Sequence, residues 1–229
     1  MKHSGKARKA AFKLILLSLA AGAVLWVTVF LAAVIGTVIS AVALPVLLVL
    51  WFLFTVFTIY FFRDPNPRVP MGANQVLAPA HGKVDVIDTV VEPKFMGGEC
   101  QRVSIFLSVF DVHVQNAPVG GTVTFFNYTI GEFINALRVE SAAHNENALV
   151  GFEAAQPKGA KVGVRLIAGV IARRIVPFVQ QGDAVVAGER ISLIQFGSRA
   201  DIYLPANAKI KVKLGDRVVG GETVVAVFE

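Results

Sequence analysis

The chain is poor in charge, in cysteine and in histidine, and each shortage removes a class of protein. Only 17% of its 229 residues are Asp, Glu, Lys or Arg, 55% are apolar, and the mean hydropathy is +0.62. That is too apolar for an ordinary soluble domain, so part of the chain belongs in lipid. A single cysteine, Cys100, excludes an intrachain disulfide and a thiolate cluster and suits a reducing cytoplasm. No acidic residue precedes Asp64, and residues 14–62 contain no Asp, Glu, Lys or Arg. A Gly-rich nucleotide loop and a convincing zinc-ligand spacing are both missing, so no metal and no diffusible cofactor is expected.

The uncharged run of 49 residues is far longer than the roughly 20 that one spanning helix needs. The reading is a two-helix transmembrane hairpin over residues 14–62, with helices at 14–34 and 41–62, a turn at 36–40, and Pro45 tolerated near a helix start. Lys2, Lys6, Arg8, Lys9 and Lys13 form a basic tail, residues 1–13, and Arg63 and Arg68 follow the second span. Both flanks therefore read as cytoplasmic, on an inner membrane. A cleaved signal peptide would have an apolar core of about 7–15 residues with no second span after it. Without the tail, 17 basic residues face 16 acidic ones, which offers nothing to nucleic acid.

Residues 63–229 suffice for one core, and their Gly- and Pro-broken texture predicts a mostly β domain. Strand candidates are 83–91, 102–107, 121–126, 161–167, 190–194, 200–204 and 222–228, with 132–149 an irregular crossing segment. Gly182-Asp-Ala-Val-Val-Ala-Gly-Glu and Gly215-Asp-Arg-Val-Val-Gly-Gly-Glu, 33 residues apart, read as a strand-turn-strand unit used twice, like those of lipoyl and biotinyl domains. Turn grammar common to many β proteins explains the echo equally well.

Near the C-terminus a Gly197-Ser198 pair separates two apolar strand candidates. Alone, Gly-Ser is most often a turn. Given a strained peptide, however, the serine hydroxyl can attack the preceding carbonyl, breaking the C–N bond and forming an ester. Elimination then leaves a dehydroalanine that hydrolyses to a pyruvoyl group. That group forms a Schiff base with a substrate amine and takes up the electron pair freed by loss of CO2.

Across nearly its whole length the chain resembles the short-form phosphatidylserine decarboxylase family. The resemblance rests on Phe62-Arg63-Asp64-Pro65, Ala78-Pro79-Ala80-His81-Gly82, Phe110-Asp111-Val112-His113-Val114 with Ala117-Pro118, Asn145-Glu146-Asn147-Ala148, Ile171-Ala172-Arg173-Arg174-Ile175 and Phe196-Gly197-Ser198, in the family's order. It implies a catalytic domain, 63–229, that cuts itself at 197/198 into a β chain, 1–197, and an α chain, 198–229, which stay together. It also implies a pyruvoyl prosthetic group made from Ser198, phosphatidylserine as substrate, and phosphatidylethanolamine and CO2 as products. A homodimer is left open.

By the same resemblance His113 serves self-processing or proton handling, and Asp111, two residues away, is placed to orient it. His81 stands where the family usually carries an Asp that acts with a His and the serine. Either His81 is itself the base, or pairs with His113, or Asp85 or Asp88 takes over, or processing is impaired. Arg173 and Arg174 are candidates for holding the substrate phosphate or carboxylate, and Asn145 for lining the pocket. Against these stand ordinary structural roles for a lone Asp-x-His and for an Arg pair.

Two other classes were weighed. A membrane-anchored, lipoyl-like carrier without catalysis would need an exposed lysine at a hairpin tip, and no lysine has that setting. A zinc peptidase using Asp111, His113, His81 and His144 lacks the helical spacing of a zinc site.

Overall fold

The computed structural model describes residues 6–131, 145–169, 174–195 and 198–229, with side chains from residue 12 onward. It divides into two compact units, Met1–Thr58 and Ile59–Glu229.

The first unit is helical. Helix α1 (Lys6–Val38) continues through a π-helical segment (Ile39–Ala43) into α2 (Leu44–Phe61), and Phe12–Phe61 is one apolar helix of 50 residues. The turn expected at 36–40 is not seen. The chain keeps its backbone bonded through this stretch, with the Thr37 and Ser40 hydroxyls bonding back to the carbonyls of Ala33 and Gly36. One π turn accommodates Pro45 without leaving polar backbone exposed among apolar side chains. The last turn of α2, from Ile59, belongs to the second unit.

Beyond that turn the described residues of the second unit form a mostly β domain, as expected. Its main sheet has eight antiparallel strands in the order β13-β2-β3-β11-β7-β6-β5-β9. These are β13 (Arg217–Val218), β2 (Gly82–Glu92), β3 (Gly98–Leu107), β11 (Ser198–Leu204), β7 (Lys161–Ala168), β6 (Asn147–Ala154), β5 (Gly121–Thr129) and β9 (Ala184–Val185). Two three-stranded sheets accompany it. One is β1 (Gln75–Leu77), β14 (Val224–Phe228) and β12 (Ala208–Ile210); the other is β4 (Val114–Asn116), β10 (Arg190–Ile194) and β8 (Ile175–Pro177).

The order reads alike from both ends. A short strand from a Gly-Asp turn pairs with the first strand of a long hairpin at each edge, Val218 opposite Gly82 and Val185 opposite Gly121. Each small sheet has the same plan, with β14 flanked by β1 and β12 as β10 is flanked by β4 and β8. The halves meet where β11 pairs with β7.

Strand β11 lies at this junction, bonded to β3 from Ser198↔Leu107 to Leu204↔Gln101 and to β7 from Ser198↔Ala168 to Tyr203↔Gly163. All seven of its residues are buried. Ser198, Ala200, Ile202 and Leu204 share one face, and the last three join Val103, Ile105, Val164, Leu166 and Phe152 in the main core. Burying each such large side chain stabilises the fold by roughly 1.5–3 kcal/mol.

The opposite face of β11 carries Arg199, Asp201 and Tyr203, and here the buried groups are charged. Arg199 pairs with Asp85 at 2.5 Å, and Arg102 binds Asp88 at 2.6 Å while lying 4.0 Å from the fully buried Asp201. Burial pushes the Asp201 carboxyl up, against the opposing pull of Arg102, Arg199 and Arg165.

One sequence expectation is corrected here. The irregular segment expected over 132–149 gives way to strand from Asn147, because Asn147 turns its amide onto the Asn145 carbonyl and leaves its backbone to the ladder. Residues 132–144 lie outside the described residues.

Candidate active site

Ser198 begins β11, fully buried, and its Oγ has no hydrogen-bond partner among the described residues. An orphaned buried hydroxyl costs about 1–3 kcal/mol, so such an atom calls for a reason. Its cross-strand neighbour Ala168 is gripped by the predicted site residue Asn145 and by Glu146 beside it. The Ala168 carbonyl accepts from Asn145 Nδ2 at 2.7 Å, and its N–H donates to the Glu146 carbonyl at 2.9 Å. Both residues are buried.

Glu146 does more than its position in a motif suggested. Its Oε1 accepts from the Ile175 N–H at 3.0 Å and from the Tyr128 hydroxyl in a very short bond. Burial and the Glu146 carboxylate push the Tyr128 phenol up to about 12, which keeps it a hydrogen donor. The exposed Arg174, beside Ile175, makes no ion pair among the described residues. Arg173 and Gly197 lie outside the described residues.

His113 precedes β4 and is fully buried. Its carbonyl accepts from Ile194 N–H at 3.1 Å and from Gln115 Nε2 at 2.7 Å. Ser192 Oγ in turn donates to Gln115 Oε1 at 2.6 Å. These bonds fix the histidine backbone to β10, four residues before Ser198. The imidazole Nδ1 lies 2.9 Å from the Asp111 carbonyl, which can only accept, so Nδ1 carries the proton and Nε2 the lone pair. Burial lowers the imidazole to about 4, so it is neutral at physiological pH.

Asp111 does orient the imidazole, but through its main chain. Its carboxylate closes a tight turn, accepting from Ser108 N at 2.9 Å and Ser108 Oγ at 2.7 Å, and lies 3.3 Å from Arg217. The two-residue spacing expected a carboxylate–imidazole pair, whereas the local turn captures the carboxylate first.

His81, half-buried, sits in a niche between Ala80, Asn116 and Gly220. A Cβ on Gly220 would lie 2.9 Å from Asn116 Oδ1 and 3.1 Å from the His81 ring, so only glycine leaves room there. Burial lowers this imidazole as well, opposed by Asp111 and Glu222 and reinforced by Arg63. Asp85 and Asp88, the alternative acids, are held by Arg199 and Arg102.

Phe61 is a site residue that sequence reading passed over. It is fully buried and packs against His113, the rings tilted by 33° with centroids 4.2 Å apart. One Phe at the end of a long apolar run carries no signal of its own. Gln115 and Ser192 were hidden likewise, since a buried polar pair inside short strands resembles ordinary alternation.

A buried serine at a strand head and a neutral histidine whose backbone is fixed to the preceding strand are groups that can carry nucleophilic attack and proton transfer in a β-domain enzyme. A family profile described as phosphatidylserine decarboxylase matches residues 54–226. The chain is 40% identical over 194 residues to the phosphatidylserine decarboxylase proenzyme of Desulfotalea psychrophila, covering 85% of this chain and 90% of that one. It is 47% identical over 176 residues to that of Gluconobacter oxydans, with 76% and 77% covered. The corresponding proenzyme of Citrifermentans bemidjiense is 43% identical over 179 residues, with 78% and 80% covered. The chain belongs to the phosphatidylserine decarboxylase family, a family of carboxy-lyases.

Proposed function

We propose that this protein is a proenzyme that cleaves itself between Gly197 and Ser198 and then decarboxylates phosphatidylserine to phosphatidylethanolamine. The observation that carries the reading is Ser198 Oγ, buried and unpartnered at the head of β11 directly after a glycine. A pyruvoyl group suits that place: conversion removes the orphaned hydroxyl and leaves a methyl group in a position flanked in register by Leu107 and Ala168.

When formed, the pyruvoyl group supplies a carbonyl that condenses with the substrate amine and accepts the electron pair left by CO2. The chain's own residues do the rest. His113 Nε2, left with its lone pair because Nδ1–H bonds the Asp111 carbonyl, takes the Ser198 proton during cleavage and later returns a proton to substrate carbon. His81 assists the cleavage as a second neutral imidazole. Asn145 and Glu146 hold Ala168, and with it the register of Ser198. Arg174, with Arg173, binds the phosphate or carboxylate of the head group. Because β11 lies between β3 and β7, the α chain, 198–229, stays bound after the cut.

In a bilayer a 50-residue helix, about 75 Å long, exceeds the roughly 30 Å hydrocarbon core more than twofold. We read the π segment as the point where it folds into two spans, leaving the basic tail, 1–13, and the catalytic domain, 63–229, on the cytoplasmic side of the inner membrane. The repeated Gly-Asp hairpins are read as lipoyl-like units. A homodimer is compatible with all of this, and sedimentation in detergent decides it.

Intact mass spectrometry tests the central claim. Wild type should give a fragment ending at Gly197 and a 32-residue piece with a blocked, pyruvoyl N-terminus, and it should convert phosphatidylserine in vesicles. Ser198→Ala should stay whole and inactive. An uncleaved but active wild type would sink the reading.

A further inference from the structure

The turn between β3 and β4 is held from the end of the membrane-length helix. Tyr60 Oη donates to the Phe110 carbonyl at 3.2 Å and Arg63 Nη2 donates to the same oxygen at 2.7 Å. Arg63 Nη1 also donates to the Tyr60 carbonyl at 2.9 Å, and its guanidinium lies 4.0 Å over the Tyr60 ring. Next to Tyr60, the Phe61 ring packs tilted against the His113 imidazole. The turn is stiff in itself, closed by Asp111 N–H to the Ser108 carbonyl at 2.9 Å and by the Asp111 carboxylate on Ser108.

On this rigid, doubly anchored turn the Phe110 side chain is 64% exposed. The apolar run ends at Phe62, so Tyr60 and Arg63 mark the level at which hydrocarbon gives way to head groups. Aromatic side chains prefer that level. Arg63, bonded to carbonyls, makes no ion pair among the described residues, which leaves its charge available to an anionic surface. A bulky ring fixed beside the catalytic histidine, a cation beneath it and continuity with the membrane helix together select one occupant.

We propose that the turn from Ser108 to Asp111 is a lipid-contacting surface. Phe110 enters the head-group region of the bilayer and Arg63 meets its phosphates, which presents His113 directly to substrate still seated in the membrane. The proposal rests on the membrane reading of the apolar helix.

The test uses full-length protein in vesicles of phosphatidylcholine and phosphatidylglycerol, with and without lipids brominated high on their acyl chains. The chain's two tryptophans, Trp26 and Trp51, lie in the apolar helix and report on that helix. A Trp26→Phe, Trp51→Phe background carrying Phe110→Trp reports on the turn alone. Its emission should shift to the blue and fall at least about twofold with brominated lipid, as for an interfacial aromatic. In the wild-type protein Phe110→Ser should slow turnover of long-chain phosphatidylserine in vesicles about tenfold while changing monomeric dihexanoyl phosphatidylserine less than about twofold.

Quenched native tryptophans with an unquenched tryptophan at 110 would overturn the surface and leave the membrane reading standing. Unquenched native tryptophans would remove the membrane reading and this proposal with it. A blue shift at 110 that ignores bromine and disappears on dilution means a second copy covers the ring, which also refutes it. Equal loss on both substrates assigns Phe110 to the fold rather than to the lipid surface.

Discussion

The two Gly-Asp hairpins are nearly the same object built twice, and they differ where the candidate residue His81 sits. In each, the Asp carboxylate caps the turn it follows, Asp183 accepting from Gln180 N–H and Asp216 from Lys213 N–H, both at 2.8 Å. In each, the final glycine donates to an Ala-Pro carbonyl, Gly188 to Ala117 and Gly221 to Ala78. A Val of the paired strand closes the loop, the Val123 N–H donating to the Asp183 carbonyl and the Val84 N–H to that of Asp216. Yet one half has His81 before its strand and Gly220 opposite, while the other has Gly120 and Ala187. The side chain lies on opposite sides of the same gap in the two halves: an imidazole with a glycine across from it in one, a glycine with a methyl group across from it in the other. Likewise Ile194 N–H binds the carbonyl of His113 where Phe228 N–H binds that of Asn74. The shared hydrogen-bond plan supplies the scaffold in both halves, and a few residues set the halves apart.

The largest effect should follow from making the halves alike at His81. With His81→Gly, appearance of the two chains, followed by mass, should slow by roughly 10²–10⁴, the usual worth of a positioned proton acceptor. Cleavage within a few-fold of wild type would show that His81 only fills space.

Replacing His113 by the residue of the other half, His113→Asn, tests the buried imidazole by stability. Its folded pKa, about 4, lies below the ordinary 6.5, so between those values the unfolded chain binds the proton that the native chain refuses. Stability should therefore be full above pH 6.5 and fall by about 3 kcal/mol as the pH drops to 4, with His81 acting in the same direction. Urea titrations of the variant should show a clearly shallower loss over that window. Unchanged pH dependence would refute the buried neutral state.

A smaller effect is expected at the reciprocal position. Gly220→Ala crowds the His81 ring and should slow cleavage about tenfold, the rate cost of roughly 1.4 kcal/mol, with little change in Tm. Ala187→Gly, its counterpart, should cost only about 0.5–1 kcal/mol of stability and leave cleavage alone. The weakest and most symmetric test is Asp183→Ala against Asp216→Ala. Each loses one turn-capping bond, about 0.5–1.5 kcal/mol, and the two losses should match.

Much was legible in the chain itself. The uncharged run, the Gly-Asp repeats and the joint family segments all depend on local order along the sequence, and periodicity and spacing report local order directly. The β texture and the candidate residues Ser198, His113, Asp111 and His81 could be named from it. Strand β11 alternates in sequence, Arg199 and Asp201 against Ala200 and Ile202, so it could be read as a strand, but such alternation ordinarily marks an exposed polar face and gives no sign that Arg199 and Asp201 are buried. The continuous helix across residues 36–40, where a turn is expected, was not legible because a π turn and back-bonded hydroxyls leave no mark in composition.

Sequence alone determined the family, the β character of the second unit and which side chains could do chemistry, because those follow from residue identity and near neighbours. Only the tertiary structure decided that Asp111 acts through its carbonyl, that Phe61 roofs His113, that Glu146 and Asn145 hold the strand opposite Ser198, and that Gly220 makes the niche for His81. Each of those contacts joins residues made neighbours by strand pairing and core packing, and burial and directional hydrogen bonding act on distance in space, which the order of residues along the chain does not record.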